Sequence, residues 1–292
     1  MCWLAGKKDR GPSAGVGIFS VSVFFRHQRV RGESWMSLES ANETVWIWGV
    51  PFVRWTMAEV VERVGQLVRD GQPSYFITAN TQYVMLTDDN PRLRDINSRA
   101  AFIVADGAPL VWASRRREKP LPERVAGSDL IFELCAQAAR NGHRLFLLGG
   151  PPGVAIEASK QLQVRYPELQ VVGTECPPFR KLTDTEHNEL IARIKATRPD
   201  LLFVAFGQPK GEIWIDENCQ QLGVPVSVQI GASLEFAAGS IRRAPLWMQR
   251  SGLEWAFRLA LEPRRLFARY SRNAWFIGRM VIRDLMGGSR AS

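Results

Sequence analysis

Metal-ligand and disulfide patterns are missing from this chain of 292 residues. Its four cysteines, Cys2, Cys135, Cys176 and Cys219, are scattered without a CxxC pair, which excludes a zinc knuckle and a disulfide framework and fits reduced thiols. The three histidines, His27, His143 and His187, are equally dispersed and none has a partner at ligand spacing. Neither a protein-built metal site nor a cofactor is expected. Also missing is any run of the roughly 20 apolar residues that a bilayer span requires. The longest candidate near the start, Gly15 to Phe25, is followed by Arg26, His27, Arg29 and Arg31 rather than by a small-residue cleavage site, so it does not read as a cleaved signal. Residues 1–43 read as a poorly ordered extension.

Lysine is absent from one stretch in particular. Ten arginines fall between Arg242 and Arg283, interleaved with Trp247, Trp255, Phe257, Phe267, Tyr270, Trp275 and Phe276. Only Glu254 and Glu262 oppose them, so this segment holds nearly all of the formal net charge of +9. Guanidinium forks bind phosphate bidentately, and aromatic rings suit the boundary between headgroups and acyl chains. The stretch is therefore compatible with nucleic acid, with a membrane surface, or with a helical hairpin whose arginines merely face water. No recognisable DNA- or RNA-binding motif accompanies it, which disfavours nucleic acid as a partner.

Composition places the rest among folded globular proteins, with 46% hydrophobic and 23% charged residues. From Thr44 onward short apolar runs alternate with longer amphipathic stretches, as a sheet with helical crossovers requires. The expected strands are Val45 to Val50, Tyr75 to Thr78, Ala101 to Ala105, Arg144 to Leu148, Leu169 to Gly173, Leu201 to Phe206 and Val226 to Ile230. Between them, helices are expected near Thr56 to Asp70, Asp129 to Arg140 with Ser128 as its cap, Thr183 to Thr197 and Pro209 to Leu222. The fold class is α/β: an open, Rossmann-like, mostly parallel sheet with helices on both faces, plus a C-terminal Arg- and aromatic-rich helical appendage. The division is an extension over 1–43, an α/β core over 44–240 and a basic amphipathic appendage over 241–292, with Pro263 starting a new helix. Removing residues from about Arg242 onward is expected to leave the core folded.

Ligands of open α/β sheets collect at the carboxyl ends of the strands. Asp106 stands there, at the tip of an apolar strand and backed by Gly107, where desolvation can raise its pKa into the range of a general base. Its structural alternative is an N-cap for the helix beginning near Ala108. Thr78 and Asn80 follow another strand and either form a turn or bond substrate hydroxyls or phosphate. Gly149 and Gly150 open a glycine cluster that would let backbone amides approach a pyrophosphate, although no P-loop or full GxGxxG is present. Arg124 sits in a loop from which it would reach a phosphate or make a surface ion pair. Glu235 is a lone acid in a small-residue loop, suited to a base or ribose or else simply exposed.

Taken in order, Thr78-Ala-Asn80, Ala105-Asp-Gly107, Glu123 to Gly127, Leu148-Gly-Gly150, Gly207 to Lys210, Gly231 to Gly239, Arg243 to Met248, Gly252 to Arg258 and Glu262 to Arg265 resemble the WecG/TagA/CpsF family, glycosyltransferase family 26. The resemblance covers roughly Val45 to Arg283. It implies an inverting, metal-independent transferase that moves a sugar from a UDP donor to a polyprenyl-diphosphate-linked saccharide at the cytoplasmic membrane face, as a possible homo-oligomer. The alternative is a non-catalytic membrane partner that enhances another transferase. Carried over by position, Asp106 would be the catalytic base, Thr78 and Asn80 would hold substrate, Arg124 would stabilise the departing UDP, and Glu235 would lie near the uracil. Arg258, Arg265 and Arg269 would clamp the acceptor diphosphate while Trp247, Leu253, Trp255 and Phe257 sit at the interface. One departure stands out. The family pattern commonly has glutamine before the glutamate that follows Pro-Lys, and this chain has Gly211; either a neighbour such as Gln208 substitutes, or the donor or acceptor sugar differs from that of the best-known members. The donor sugar stays open between N-acetylmannosamine, its uronic acid and glucose.

Overall fold

The computed structural model describes residues 43–286, so all but the last residue of the expected N-terminal extension lies outside the described residues. The alternation of apolar runs becomes a six-stranded sheet. Strands β3 (Ser74–Ala79), β4 (Ile103–Ala105), β5 (Arg144–Gly149), β6 (Gln170–Glu175), β7 (Leu201–Ala205) and β8 (Val226–Gln229) stand in the order β4-β3-β8-β7-β5-β6, and every adjacent pair is parallel. Parallel neighbours need crossovers, and these are helical. They comprise α1 (Met57–Asp70), α2 (Thr81–Asp88), α3 (Pro91–Arg99), α4 (Ala108–Ser114), α5 (Gly127–Asn141), α6 (Val154–Arg165), α7 (Asp184–Ala196) and α8 (Lys210–Leu222). After β8 come α9 (Ser233–Ala237), α10 (Leu246–Arg250), α11 (Glu254–Leu261) and α12 (Pro263–Leu285).

Strand periodicity sends alternate residues to opposite faces, and both faces are covered. On β5, Leu145 and Leu147 enter one cluster with α1, α5, α6 and α9, whereas Phe146 and Leu148 enter another with α2, α3, α7 and α8. That is why the strands read as continuous apolar runs. The structure is the open α/β sheet with helices on both faces, completed by C-terminal helices.

Two local expectations are corrected. Val45 to Val50 is not one strand but an antiparallel hairpin, β1 (Thr44–Ile47) and β2 (Val50–Val53), turning at Trp48 (φ 50) and Gly49 (φ 83). Two consecutive positive φ values are what a tight hairpin turn with the sheet's twist demands. A tryptophan at the first of them hid the signal. Ser128 does not cap α5, which begins two residues earlier than expected, at Gly127 after Ala126, and has no side-chain cap; the Ser128 hydroxyl instead accepts from Arg243 at 3.1 Å.

The left-handed backbone at Trp48 costs about 1 kcal/mol and needs support from its surroundings. The long C-terminal helix supplies that support. The buried Trp48 ring meets Phe276 of α12 edge-on at 5.8 Å, and its Nε1 donates to Asp284 at 3.2 Å. Arg117 also reaches Asp284, at 3.3 Å, and Arg279 pairs with Asp88 of α2. Phe276 and Met280, 3% and 1% exposed, belong to the same apolar cluster as the hairpin and α2. A chain ended before Arg242 would therefore lose this part of the cluster. Replacing Phe276 with alanine should lower the unfolding free energy by about 3 kcal/mol or more. Chemical denaturation followed by tryptophan fluorescence checks this; a loss below about 1 kcal/mol would mean that the helix is not a working part of the core.

Candidate active site

The carboxyl ends of β4, β3, β8 and β7 are consecutive along the sheet, and a cleft of about 750 Å³ opens across them, walled on its far side by α11 and α12. That volume accommodates a ligand larger than a single sugar. Of the sequence candidates, Thr78, Asn80, Asp106, Arg124, Gln208, Arg258 and Arg269 line it together.

Asp106 follows β4 directly, and its backbone N–H donates to the Ala79 carbonyl at 2.9 Å, which extends the β3–β4 ladder by one residue. Its side chain does not cap the next helix: Gly107 precedes α4, with no side-chain cap bond. The carboxylate instead meets the start of α5, where the Gly127 N–H donates to it. A β-carbon at Gly127 would stand 3.3 Å from Asp106 Oδ2 and 3.8 Å from Thr78 Oγ1, so a side chain there would press on this contact. Burial pushes the Asp106 pKa up to about 6, against the lowering effects of Arg124, the Gly127 N–H and Arg258, while Glu254 adds to the rise. The group is therefore ionised at neutral pH yet basic enough to accept a proton.

Thr78 is buried at the end of β3 and donates from Oγ1 to the Gln229 carbonyl at 3.1 Å. Gln208 Nε2 donates to the Thr78 carbonyl at 3.2 Å. Asn80 caps α2, its Oδ1 accepting from the Tyr83 N–H at 3.1 Å, which leaves the Nδ2 amide as its donor toward the cleft. Asn80 thus forms the turn and also lines the cleft.

Positive charge reaches the cleft from two directions. Arg124 comes from the loop before α5 and pairs with Glu254 of α11 at 3.2 Å. Arg258, one turn further along α11, lies over the Phe236 ring at 5.5 Å, and Arg243 lies over the same ring at 5.9 Å while pairing with Asp129 at 2.7 Å. Arg269 and Arg272 of α12 complete the wall. The side chain of Arg265 lies outside the described residues. Such a cluster suits a bound diphosphate.

Three candidates do not line this cleft. Gly150 gives its N–H to the Ala205 carbonyl at 3.0 Å, and a β-carbon at Gly149 would stand 2.8 Å from the Phe206 ring, so both glycines are accounted for by strand and helix packing. Glu235 is half-buried on α9, whose neighbouring Ser233 and Phe236 face the cleft instead. Conversely, the sequence reading missed Gln229, Tyr270 and Asn273, and it gave to the membrane interface Trp255, which lines the cleft. Trp255 and Tyr270 form an edge-on pair at 6.0 Å, and Asn273 is buried with its Oδ1 unsatisfied. The four come from β8, α11 and α12, and local spacing carries no signal for that convergence. Among the described residues, no group of three or more His, Cys, Asp or Glu is placed to hold a metal ion.

Gly211 acquires a structural reason. A β-carbon there would fall on the side-chain amide of Gln229, which fills the space. In its satisfied orientation that amide donates to Val204 at 2.7 Å and accepts from the Gly207 N–H at 2.8 Å, tying β7 to the following loop. Gly211→Ala should lower stability by about 1 to 3 kcal/mol through overpacking. Adding Gln229→Ala should recover part of that loss, with a favourable coupling of about 1 kcal/mol in a double-mutant cycle; strictly additive single effects would contradict the shared space.

The model of the glycosyl transferase WecG/TagA/CpsF family matches residues 45–291. Proteins of Staphylococcus aureus strains NCTC 8325 / PS 47 and MRSA252 are each 32% identical over 235 residues, which is 79% of this chain and 91% of the relative, and both are named N-acetylglucosaminyldiphosphoundecaprenol N-acetyl-beta-D-mannosaminyltransferase. The chain belongs to the WecG/TagA/CpsF family of glycosyltransferases.

Proposed function

We propose that this glycosyltransferase moves N-acetylmannosamine from a UDP donor to N-acetylglucosamine on a polyprenyl diphosphate, with inversion at the anomeric carbon. The observation that carries the reading is the half-buried, desolvated Asp106 carboxylate, with a pKa near 6, at the base of an arginine-walled cleft. Asp106 takes the proton of the acceptor hydroxyl as that oxygen bonds the anomeric carbon. The bond from that carbon to the diphosphate breaks, and its electron pair leaves with UDP. Arg124, released from Glu254, stabilises the charge on the departing phosphates. Thr78 and Asn80 orient the sugar, and Arg258 and Arg269 hold the acceptor diphosphate. These residues suffice without a metal. The choice of N-acetylmannosamine over its uronic acid or glucose rests on the relatives' names.

The same reading gives residues 44–240 the chemistry and 241–292 the meeting with the cytoplasmic membrane surface. No helix is long and apolar enough to cross a membrane among the described residues. Yet α12 is apolar on two sides. Leu266, Phe276 and Met280 face inward, while Phe267, Trp275 and Ile282 are 66%, 79% and 56% exposed at seven- and eight-residue spacing, flanked by arginines. An outward apolar stripe beside basic residues fits an anionic bilayer. Trp247, 63% exposed on α10, extends it.

Purified protein should release UDP from UDP-N-acetylmannosamine only when the lipid-diphosphate N-acetylglucosamine acceptor is present. Asp106→Asn should reduce turnover by about 10² to 10⁴-fold; an undiminished rate would remove Asp106 from the mechanism. In a separate assay, the double substitution Phe267→Asp and Trp275→Asp should abolish co-sedimentation with anionic liposomes. Retained sedimentation would place the membrane contact elsewhere.

A further inference from the structure

The wall that α11 and α12 give to the cleft carries more than arginines. Trp255 and Tyr270 line it as an edge-on pair with ring centroids 6.0 Å apart. Asn273 lines it too, on α12 one turn past Arg269. Seven residues after Leu266 and three before Phe276, it falls on the inward side of that helix, among apolar neighbours, and it is only 9% exposed. No described residue gives a hydrogen bond to its Oδ1. On α2, which packs against α12, Gln82 also lines the cleft, with a buried Oε1 that has no partner.

A polar group buried without a partner costs the fold stability, and an apolar residue at 273 would seal the inward side of α12 better. Both orphaned atoms are acceptors, so the ligand that suits them brings donors. The last torsion of an amide side chain is broad and roughly twofold, so an oxygen held by no bond can turn to a donor in the cleft. The aromatic pair supplies a second kind of contact. An edge-on arrangement uses the edge of one ring and one face of the other, which leaves ring face for a ligand with an apolar side. A pyranose with an acetamido group joins the two requirements: N–H and O–H donors around a face of C–H bonds.

Position decides which sugar this is. In the acceptor the sugar is bonded directly to the diphosphate, which the reading above gives to Arg258 and Arg269. Trp255 stands three residues before Arg258, Tyr270 directly after Arg269, and Asn273 four residues after it. We propose that Trp255, Tyr270 and Asn273 form the subsite for the N-acetylglucosamine of the acceptor. The rings pack on its C–H face, Asn273 Oδ1 accepts from the acetamido N–H, and Gln82 Oε1 accepts from a sugar hydroxyl. The inference rests on the proposed reaction for the identity of the sugar. It moves Trp255 from the membrane interface to the acceptor.

The test is calorimetric binding to the full chain with two water-soluble probes. One is N-acetylglucosamine joined through a diphosphate to a short alkyl chain, and the other is the same compound with 2-deoxyglucose, which has no donor at that carbon. Asn273→Leu should weaken the first probe about tenfold or more. Wild type should bind the 2-deoxy probe comparably weakly, and Asn273→Leu should not distinguish the two. Comparing probes within one variant cancels any general loss of folded protein. Trp255→Ala should weaken both probes about tenfold, and Trp255→Phe should recover most of that, with liposome co-sedimentation unchanged in each. The Tm of Asn273→Leu should equal or exceed that of wild type, because the variant removes an unsatisfied amide; a lower Tm would assign Asn273 to the fold and overturn its role here. The proposal is also overturned if wild type binds neither probe, if its preference for the acetamido probe survives in Asn273→Leu, or if Trp255→Ala keeps the probes and loses the liposomes. Should wild type bind the probes in the expected pattern yet release no UDP with them, the reaction would be misassigned and the subsite would stand.

Discussion

Desolvation of one carboxylate at the end of a parallel strand is the constraint on which the site depends. Asp106 is raised to about pH 6 by burial, and the groups that oppose this rise, Arg124, the Gly127 N–H and Arg258, keep it ionised at neutral pH. Their origins differ. Arg124 and Gly127 belong to the α/β core, while Arg258 and the opposing Glu254 come from the C-terminal helices. The electrostatics of the proposed base are thus shared between two parts of the chain, and neither part alone encloses the cleft.

That sharing gives α12 a structural purpose beyond contact with a surface. Its inward residues seal an apolar cluster and hold the Trp48 turn, which sets the position of the whole C-terminal segment over the strand ends. Its outward aromatics have no such seat. An acceptor carried on a lipid diphosphate would then meet the base where protein and bilayer adjoin, with the arginines between them. The Arg124–Glu254 pair couples the two sides chemically, since phosphate and carboxylate compete for the same guanidinium.

Much of the fold was legible in the sequence because both faces of the parallel sheet are buried, so β5 and β7 read as unbroken apolar runs. The hairpin was not, because Trp48 occupies a turn position that composition rules assign to Asn, Asp or Gly. Asp106 was legible as a charged residue ending an apolar strand. Gly149 and Gly150 drew notice for a reason that local pattern cannot settle: glycines needed for close packing look the same as glycines needed by a ligand. Gln229 escaped notice because burial of a polar side chain depends on what lies across the sheet. At Gly211, only the tertiary contact with Gln229 shows that a side chain would have no room.

The most direct measurement is the titration of Asp106 itself. Carboxyl-carbon NMR of protein labelled at aspartate, with the signal assigned by its loss in Asp106→Asn, reports the proton on this group without requiring substrate. The account predicts a midpoint at about 6, and hence a base that is free at neutral pH. A midpoint near the ordinary aspartate value of 3.8 would show that the carboxylate is solvated, and the buried-base account of this cleft would fail.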